Sequence, residues 1–84
     1  NMGKMGTIVD VRTREEFVGG HIQNSINIPL QEITNHIEEI KTMEGPIIFC
    51  CASGVRSGHA ADYFSALGIT CENGGGWLSL NSKL

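Results

Sequence analysis

Cys51 opens the run Cys51-Ala52-Ser53-Gly54-Val55-Arg56-Ser57, which sets a thiol, a glycine and a guanidinium close together. Those three groups could hold an anion and attack it. The residues before it, Ile47-Ile48-Phe49-Cys50, are apolar and of strand type. The residues from Arg56 onward carry helical spacing. Cys51 is therefore expected at the carboxyl end of a strand, facing the N-terminus of a helix. Unpaired backbone N–H groups and the positive end of the helix dipole gather there. They lower a thiol pKa and stabilise negative charge on or near the sulfur. Gly54 would let the loop curl around that sulfur, although a plain turn glycine would look the same.

Spacing narrows the chemistry. Four residues separate Cys51 from Arg56. Cysteine phosphatases use the same strand–loop–helix plan with a loop one residue longer, wide enough for a phosphate. The tighter loop suits one extra sulfur atom on the cysteine better than a phosphoryl group. Arg56 has two candidate jobs: attracting an anionic donor, or pairing with Asp10 or Glu16 to brace the loop. Ser57 either caps the helix or turns its hydroxyl to the sulfur, and capping is the plainer role. Cys50 alternates with Cys51 along the strand, so its side chain points away into packing. Cys71 is read as structural. His36 and His59 are read as solvated helix residues, and His21 as structural.

The elements that must position these groups are short. Thr7 to Val11 is β-branched and reads as a buried strand. Thr13 and Glu16 have the spacing of a capping box, and Gly19-Gly20 stops that helix early. Ser25 to Ile28 alternates and reads as a second strand. After Pro29, Leu30, Ile33, Ile37 and Ile40 mark one helical face. Gly45-Pro46 turns the chain into the Ile47–Cys51 strand. Arg56 to Leu67 is predicted helical, with Ala60, Phe64 and Leu67 inward and Gly68 as its cap. Ile69 to Glu72 is predicted as the last strand, Asn73-Gly74-Gly75-Gly76 as a flexible loop, and Trp77 to Leu80 as a short helix. Alternating strands and helices predict an α/β fold with a parallel sheet covered by helices on both faces. Sites in such sheets lie at the carboxyl ends of the strands, which is where Asp10, Arg12 and Cys51 fall.

Composition sets bounds. The 84 residues suffice for one small domain over 1–84. A net charge of −3 without a Lys/Arg cluster speaks against nucleic acid or anionic membrane as a partner. No apolar run approaches the ~20 residues of a membrane helix. Three cysteines, two of them adjacent, do not form a disulfide framework, and no spacing suggests a metal site. A reducing, cytoplasmic setting is expected, with a periplasmic mature form as the alternative. Asn1 before Met2 is read as a cloning remnant that hides the natural start.

Cys51 to Ser57 resembles the active-site loop of rhodanese-type sulfurtransferases. Ile8-Val9-Asp10-Val11-Arg12, Glu15-Glu16-Phe17 and Gly20-His21-Ile22 are similar to that family's first signature, continued by Ser25-Ile26-Asn27-Ile28-Pro29. Gly74-Gly75-Gly76-Trp77 resembles its glycine–tryptophan motif near the C-terminus. The resemblance implies a small three-layer rhodanese-like fold, shortened at the N-terminus because only six residues precede Thr7. It implies Cys51 as nucleophile and the N–H groups of Ala52, Ser53, Gly54, Val55, Arg56 and Ser57 as a substrate cradle. Asp10 and Arg12 would brace the loop, and Trp77 would pack against the Gly74–Gly76 segment beside it. The reaction would move a sulfane sulfur from thiosulfate or a persulfide donor to cyanide or a thiol, with no metal and no organic cofactor. A thioredoxin-like or persulfide-donating protein is a further candidate partner, and the chain is expected to be a monomer. The competing reading is a persulfide carrier or interaction module with little turnover of small molecules.

Overall fold

In the computed structural model, which describes residues 6–84, four strands form one parallel sheet in the order β2-β1-β3-β4. The strands are β1 (Thr7–Asp10), β2 (Ile26–Asn27), β3 (Ile47–Cys51) and β4 (Cys71–Gly76). The helices are α1 (Arg14–Val18), α2 (Ile37–Lys41), α3 (Val55–Ala66) and α4 (Trp77–Asn81), and a 3₁₀ helix spans Leu30–His36. The reading of Asn1 lies outside the described residues. None of these helices is long and apolar enough to cross a membrane.

Strand β3 carries the fold. All five of its residues are buried, as a central strand covered on both faces must be. Alternation divides it between two cores. Ile47, Phe49 and Cys51 face α3 and the helices of 30–41, where Val9, Ile33, Ile40, Ala60 and Phe64 join them. Ile48 and Cys50 face Ile22, Leu80 and Trp77 on the other side. The side chain of Cys50 therefore points away from that of Cys51, as expected. Phe49 and Phe64 stack at 5.5 Å between centroids and centre the larger core.

Several boundaries differ from the sequence reading, each for a physical reason. The stripe of Leu30, Ile33, Ile37 and Ile40 does pack inward, but its first part winds as a 3₁₀ helix. The step of three from Leu30 to Ile33 suits that tighter winding, and the step of four from Ile33 leads into α2. Leu67 is exposed rather than inward, because α3 ends before it. Gly68 at φ 86° turns the chain in a Schellman closure: its N–H bonds Ser65 O, and Ile69 N–H bonds Phe64 O. Ile69 then packs on the core in place of Leu67.

The largest difference is Asn73 to Gly76. This segment is not a flexible loop but the last four residues of β4, paired with β3 through Phe49↔Asn73, Cys50↔Gly75 and Cys51↔Gly76. The register shifts beside Phe49, leaving Gly74 as the extra residue of a bulge. Glycine is required there by crowding. A Cβ on Gly74 would lie 2.7 Å from Ile48 Cγ2 and 3.0 Å from Leu80 Cδ2. A Cβ on Gly76 would lie 2.8 Å from the Ala52 carbonyl oxygen.

Candidate active site

The fold delivers Cys51 to the carboxyl edge of the sheet, where β3 ends and three connecting residues lead into α3. Gly54 makes the connection in the left-handed region at φ 107°, a conformation that disfavours any residue with a Cβ. The resulting curl brings the Gly54 N–H to 2.9 Å from Cys51 Sγ and the Ser57 N–H to 3.4 Å. The Ser57 hydroxyl also stands 3.4 Å from the sulfur. Cys51 has no solvent-exposed surface. Burial pushes its thiol up, but the Ser57 hydroxyl and the N–H groups of Ser57, Gly54 and Ser53 outweigh it. The net result is a pKa below the ordinary thiol value of 9.0.

The neighbouring thiol has the opposite fate. Burial, reinforced by the charge of Asp10, pushes Cys50 up to about 12. Cys50 is therefore a protonated packing group at neutral pH. Cys71 donates to the Ala61 carbonyl oxygen at 3.4 Å and lies away from Cys51.

Around the resting sulfur the loop uses only some of its N–H groups. Gly54 and Ser57 supply the N–H groups that reach Sγ, with a weaker contribution from Ser53; those of Ala52, Val55 and Arg56 do not reach it. Ser57 is not a capping residue. Helix α3 has Gly54 at its N-cap and no side-chain cap, and Ser57 is buried one turn in. Its hydroxyl lies 2.6 Å from Asn73 Oδ1 as well as beside the sulfur. A hydroxyl has a single proton, so it serves one of them at a time. Turned to Asn73, Ser57 Oγ accepts from a protonated Cys51. Turned to Cys51, it donates to the thiolate.

Arg56 pairs with Glu16 and not with Asp10. Its Nη1 and Nη2 meet Glu16 Oε1 and Oε2 at 2.8 and 3.1 Å in a two-pronged pair. The predicted capping box holds Glu16 in place, since its Oε1 also accepts from Thr13 N–H at 2.9 Å. The Arg56 pair, followed by the Thr13 N–H, draws the Glu16 carboxyl down to about 2. Two surface hollows of about 260 and 450 Å³ flank Arg56, on the Thr13 and Tyr63 sides. Cys51 lines neither.

Asp10 and Arg12 form a separate, buried brace. Arg12 Nη2 donates to Asp10 Oδ2 at 2.7 Å, Nε spans both carboxylate oxygens at 3.0 Å, and the Arg12 N–H closes on Oδ1. The guanidinium then reaches the Gly20 carbonyl oxygen at 2.7 Å. Trp77 covers it, with its ring centroid 4.7 Å from Arg12 Cζ. Trp77 thus packs on Arg12, on Gly20 and in the core shared with Cys50. His21 stacks on Phe17 at 3.7 Å and bonds its carbonyl oxygen, so it closes α1. Among the described residues, no three acidic, histidine or cysteine side chains converge as a metal site would need.

Asn73 went unrecognised in the sequence because it was read as part of a loop. Its only signal was a polar residue at the end of an apolar strand, opposite a glycine, Gly58, inside a predicted helix.

A strand, a glycine curl and a buried thiol on a helix N-terminus leave few families open. The model of the rhodanese-like domain matches residues 1–80. The chain belongs to the rhodanese-like family. Thiosulfate sulfurtransferase PspE of Escherichia coli (strain K12) is 36% identical over 70 residues, covering 81% of this chain and 67% of that protein. A rhodanese-related protein from Thermoplasma volcanium superimposes with a TM-score of 0.83 at 32% identity, covering 99% of this chain and 82% of that one. A rhodanese with anions from E. coli gives 0.75 at 35% identity, with 84% and 86% covered. The chain spans about half to two thirds of the length of four of the curated relatives it matches, and 20% and 13% of two others.

Proposed function

We propose that this domain is a sulfurtransferase that carries a sulfane sulfur on Cys51, taken from thiosulfate and passed to cyanide or a thiol. The observation that carries the reading is the Cys51 sulfur itself, closed in by Gly54 and Ser57 with its pKa held down while Cys50 is pushed up. In the first half-reaction the Cys51 thiolate attacks the outer sulfur of thiosulfate. The sulfur–sulfonate bond breaks, sulfite leaves with the electron pair, and a Cys51 persulfide anion remains. In the second, cyanide or a thiolate attacks the outer sulfur, the S–S bond breaks, and the Cys51 thiolate returns. Two half-reactions through one covalent intermediate imply ping-pong kinetics.

Arg56 is suited to draw an anionic donor, because its guanidinium is half-exposed between two hollows. A donor sulfonate would compete with Glu16 for it. Asp10, Arg12 and Trp77 support the sheet edge without touching the sulfur. A phosphatase is the weaker reading, since only four residues separate Cys51 from Arg56, one fewer than the phosphate-holding loop of cysteine phosphatases has.

The test is intact mass after incubation with thiosulfate. Wild type should gain one sulfur, about 32 Da, and lose it to cyanide, as a covalent carrier must. Cys51→Ser should gain nothing and Cys50→Ser should still gain it. Equal loss of loading in both variants would remove the assignment of a single nucleophile. Loading without steady-state thiocyanate formation would favour the carrier over the enzyme.

A further inference from the structure

We infer that Asn73 is a positioning residue for the Cys51 loop: its amide ties β4 to Gly54 and Ser57 and so aims their donors at the sulfur. The inference rests on Cys51 being the reacting thiol.

Asn73 makes four of the contacts that define the site with one planar group. Its Nδ2 donates to the Gly54 carbonyl oxygen at 2.9 Å. Its Oδ1 accepts from the Gly75 N–H at 2.9 Å and from the Ser57 hydroxyl at 2.6 Å. Both ends are specified, because a flipped amide would face a carbonyl with its oxygen and an N–H with its nitrogen. The fourth contact is packing. A Cβ on Gly58 would stand 3.2 Å from Asn73 Nδ2, so a glycine in the interior of α3 leaves space for the amide. Glycine is disfavoured inside helices, which makes that space a second, independent mark of the contact.

The tether matters because of where it lands. Gly54 presents its N–H to Cys51 Sγ and its carbonyl to Asn73. Gly54 is also the residue with the widest choice of backbone angles in the loop. Holding its carbonyl restricts that choice and keeps the N–H on the sulfur. The same amide competes with Cys51 for the Ser57 proton, so it sets which way that hydroxyl faces. Asn73 makes no hydrogen bond to Cys51, and it acts through Gly54 and Ser57.

Truncating Asn73 has two opposed effects, loss of the tether and release of the Ser57 hydroxyl. A Ser57→Ala background removes the second. The experiment compares Ser57→Ala with Ser57→Ala/Asn73→Ala. It reads the rate of Cys51 alkylation by iodoacetamide against pH, with peptide fragment ions separating Cys51 from Cys50. The double variant should alkylate several-fold more slowly at pH 7, its profile displaced to higher pH, while Tm changes little. Superimposable profiles would overturn the inference. Asn73 is exposed, so its truncation opens no cavity in the core. Should the double variant still melt too low to assay, Asn73→Ala alone supplies a second readout. Amide exchange at Gly54 about tenfold faster than wild type supports the tether, and unchanged exchange overturns it. Alkylation and exchange do not require sulfur transfer. They therefore report on Asn73 even if thiosulfate loading fails.

Discussion

Two adjacent cysteines end with thiols of opposite character because a strand alternates. Cys51 turns toward α3 and meets N–H groups, whereas Cys50 turns into an apolar core beside the Asp10 charge. The hydroxyl of Ser57 is the largest of the influences that lower Cys51 against its burial. Ser57→Ala removes a hydrogen bond to a group that becomes charged, an interaction worth about 1.5–3 kcal/mol. Cys51 should then ionise at higher pH. Sulfur loading at pH 7 should fall by about tenfold or more and recover as the pH is raised. A loading-rate profile from pH 6 to 10 on both proteins checks this. An unshifted profile would mean that the Ser57 hydroxyl stays on Asn73.

The elements around the loop are short, and they hold one another through polar links at their ends. Helix α1 has five residues and no buried side chain, so packing does little for it. Its capping box and the Glu16–Arg56 pair fasten it to α3. Folding depresses the Glu16 carboxyl from 4.5 to about 2. Such a group stabilises the native state above the unfolded pKa, and that contribution is lost as pH falls through the folded value. Glu16→Gln should therefore flatten part of the fall in the urea midpoint between pH 4.5 and about 2, and it should lower the midpoint modestly at pH 7. Strand β4 makes the same point through crowding. Gly76→Ala should displace the Ala52 carbonyl and with it the start of the loop, lowering loading more than Tm. Gly75→Ala meets no neighbour within 4 Å and carries only the strain of φ 84°, so it should cost about 1 kcal/mol of stability with loading nearly intact. Loading assays and thermal melts on the two variants separate these effects.

Among the described residues, stability is divided between two small cores and one buried ion pair. A domain of this length has little stability to spare, on the order of 5–15 kcal/mol. Asp10 is fully buried and Arg12 nearly so. Removing the guanidinium strands a buried carboxylate, a change that costs about 3–5 kcal/mol. Arg12→Ala should therefore lower the unfolding free energy by about 3–5 kcal/mol, and Arg12→Lys should rescue it poorly because a lysine cannot span both oxygens, Gly20 and the Trp77 face. Urea denaturation of both variants checks this. A loss below about 1 kcal/mol for Arg12→Ala would show that Asp10 finds water or another donor.

Much of this was legible in the chain. The apolar run of 47–51 read as a covered strand, the Thr13–Glu16 spacing specified a capping box, and the order of thiol, glycine and helix start put Cys51 at a strand end facing α3. These are local signals, set by side-chain periodicity and hydrogen bonding within a few residues. Glycines misled, because the residue permitted by flexibility is also the one demanded by close contact. Gly74 and Gly76 lie in a strand where Ile48, Leu80 and Ala52 leave no room for a Cβ, and Ile48 and Ala52 are distant in sequence. The partners of Arg56 and Ser57 were likewise open, since Asp10 and Glu16 are both carboxylates near the same edge. Folding settled the choice by giving Asp10 to Arg12 and Glu16 to Arg56, and by bringing Asn73 across from β4 to the hydroxyl of Ser57. Local pattern is sufficient to set Cys51 beside the donors of Gly54 and Ser57, but the partners of Ser57 and Arg56 lie 16 and 40 positions from them, where chain packing rather than spacing decides what meets.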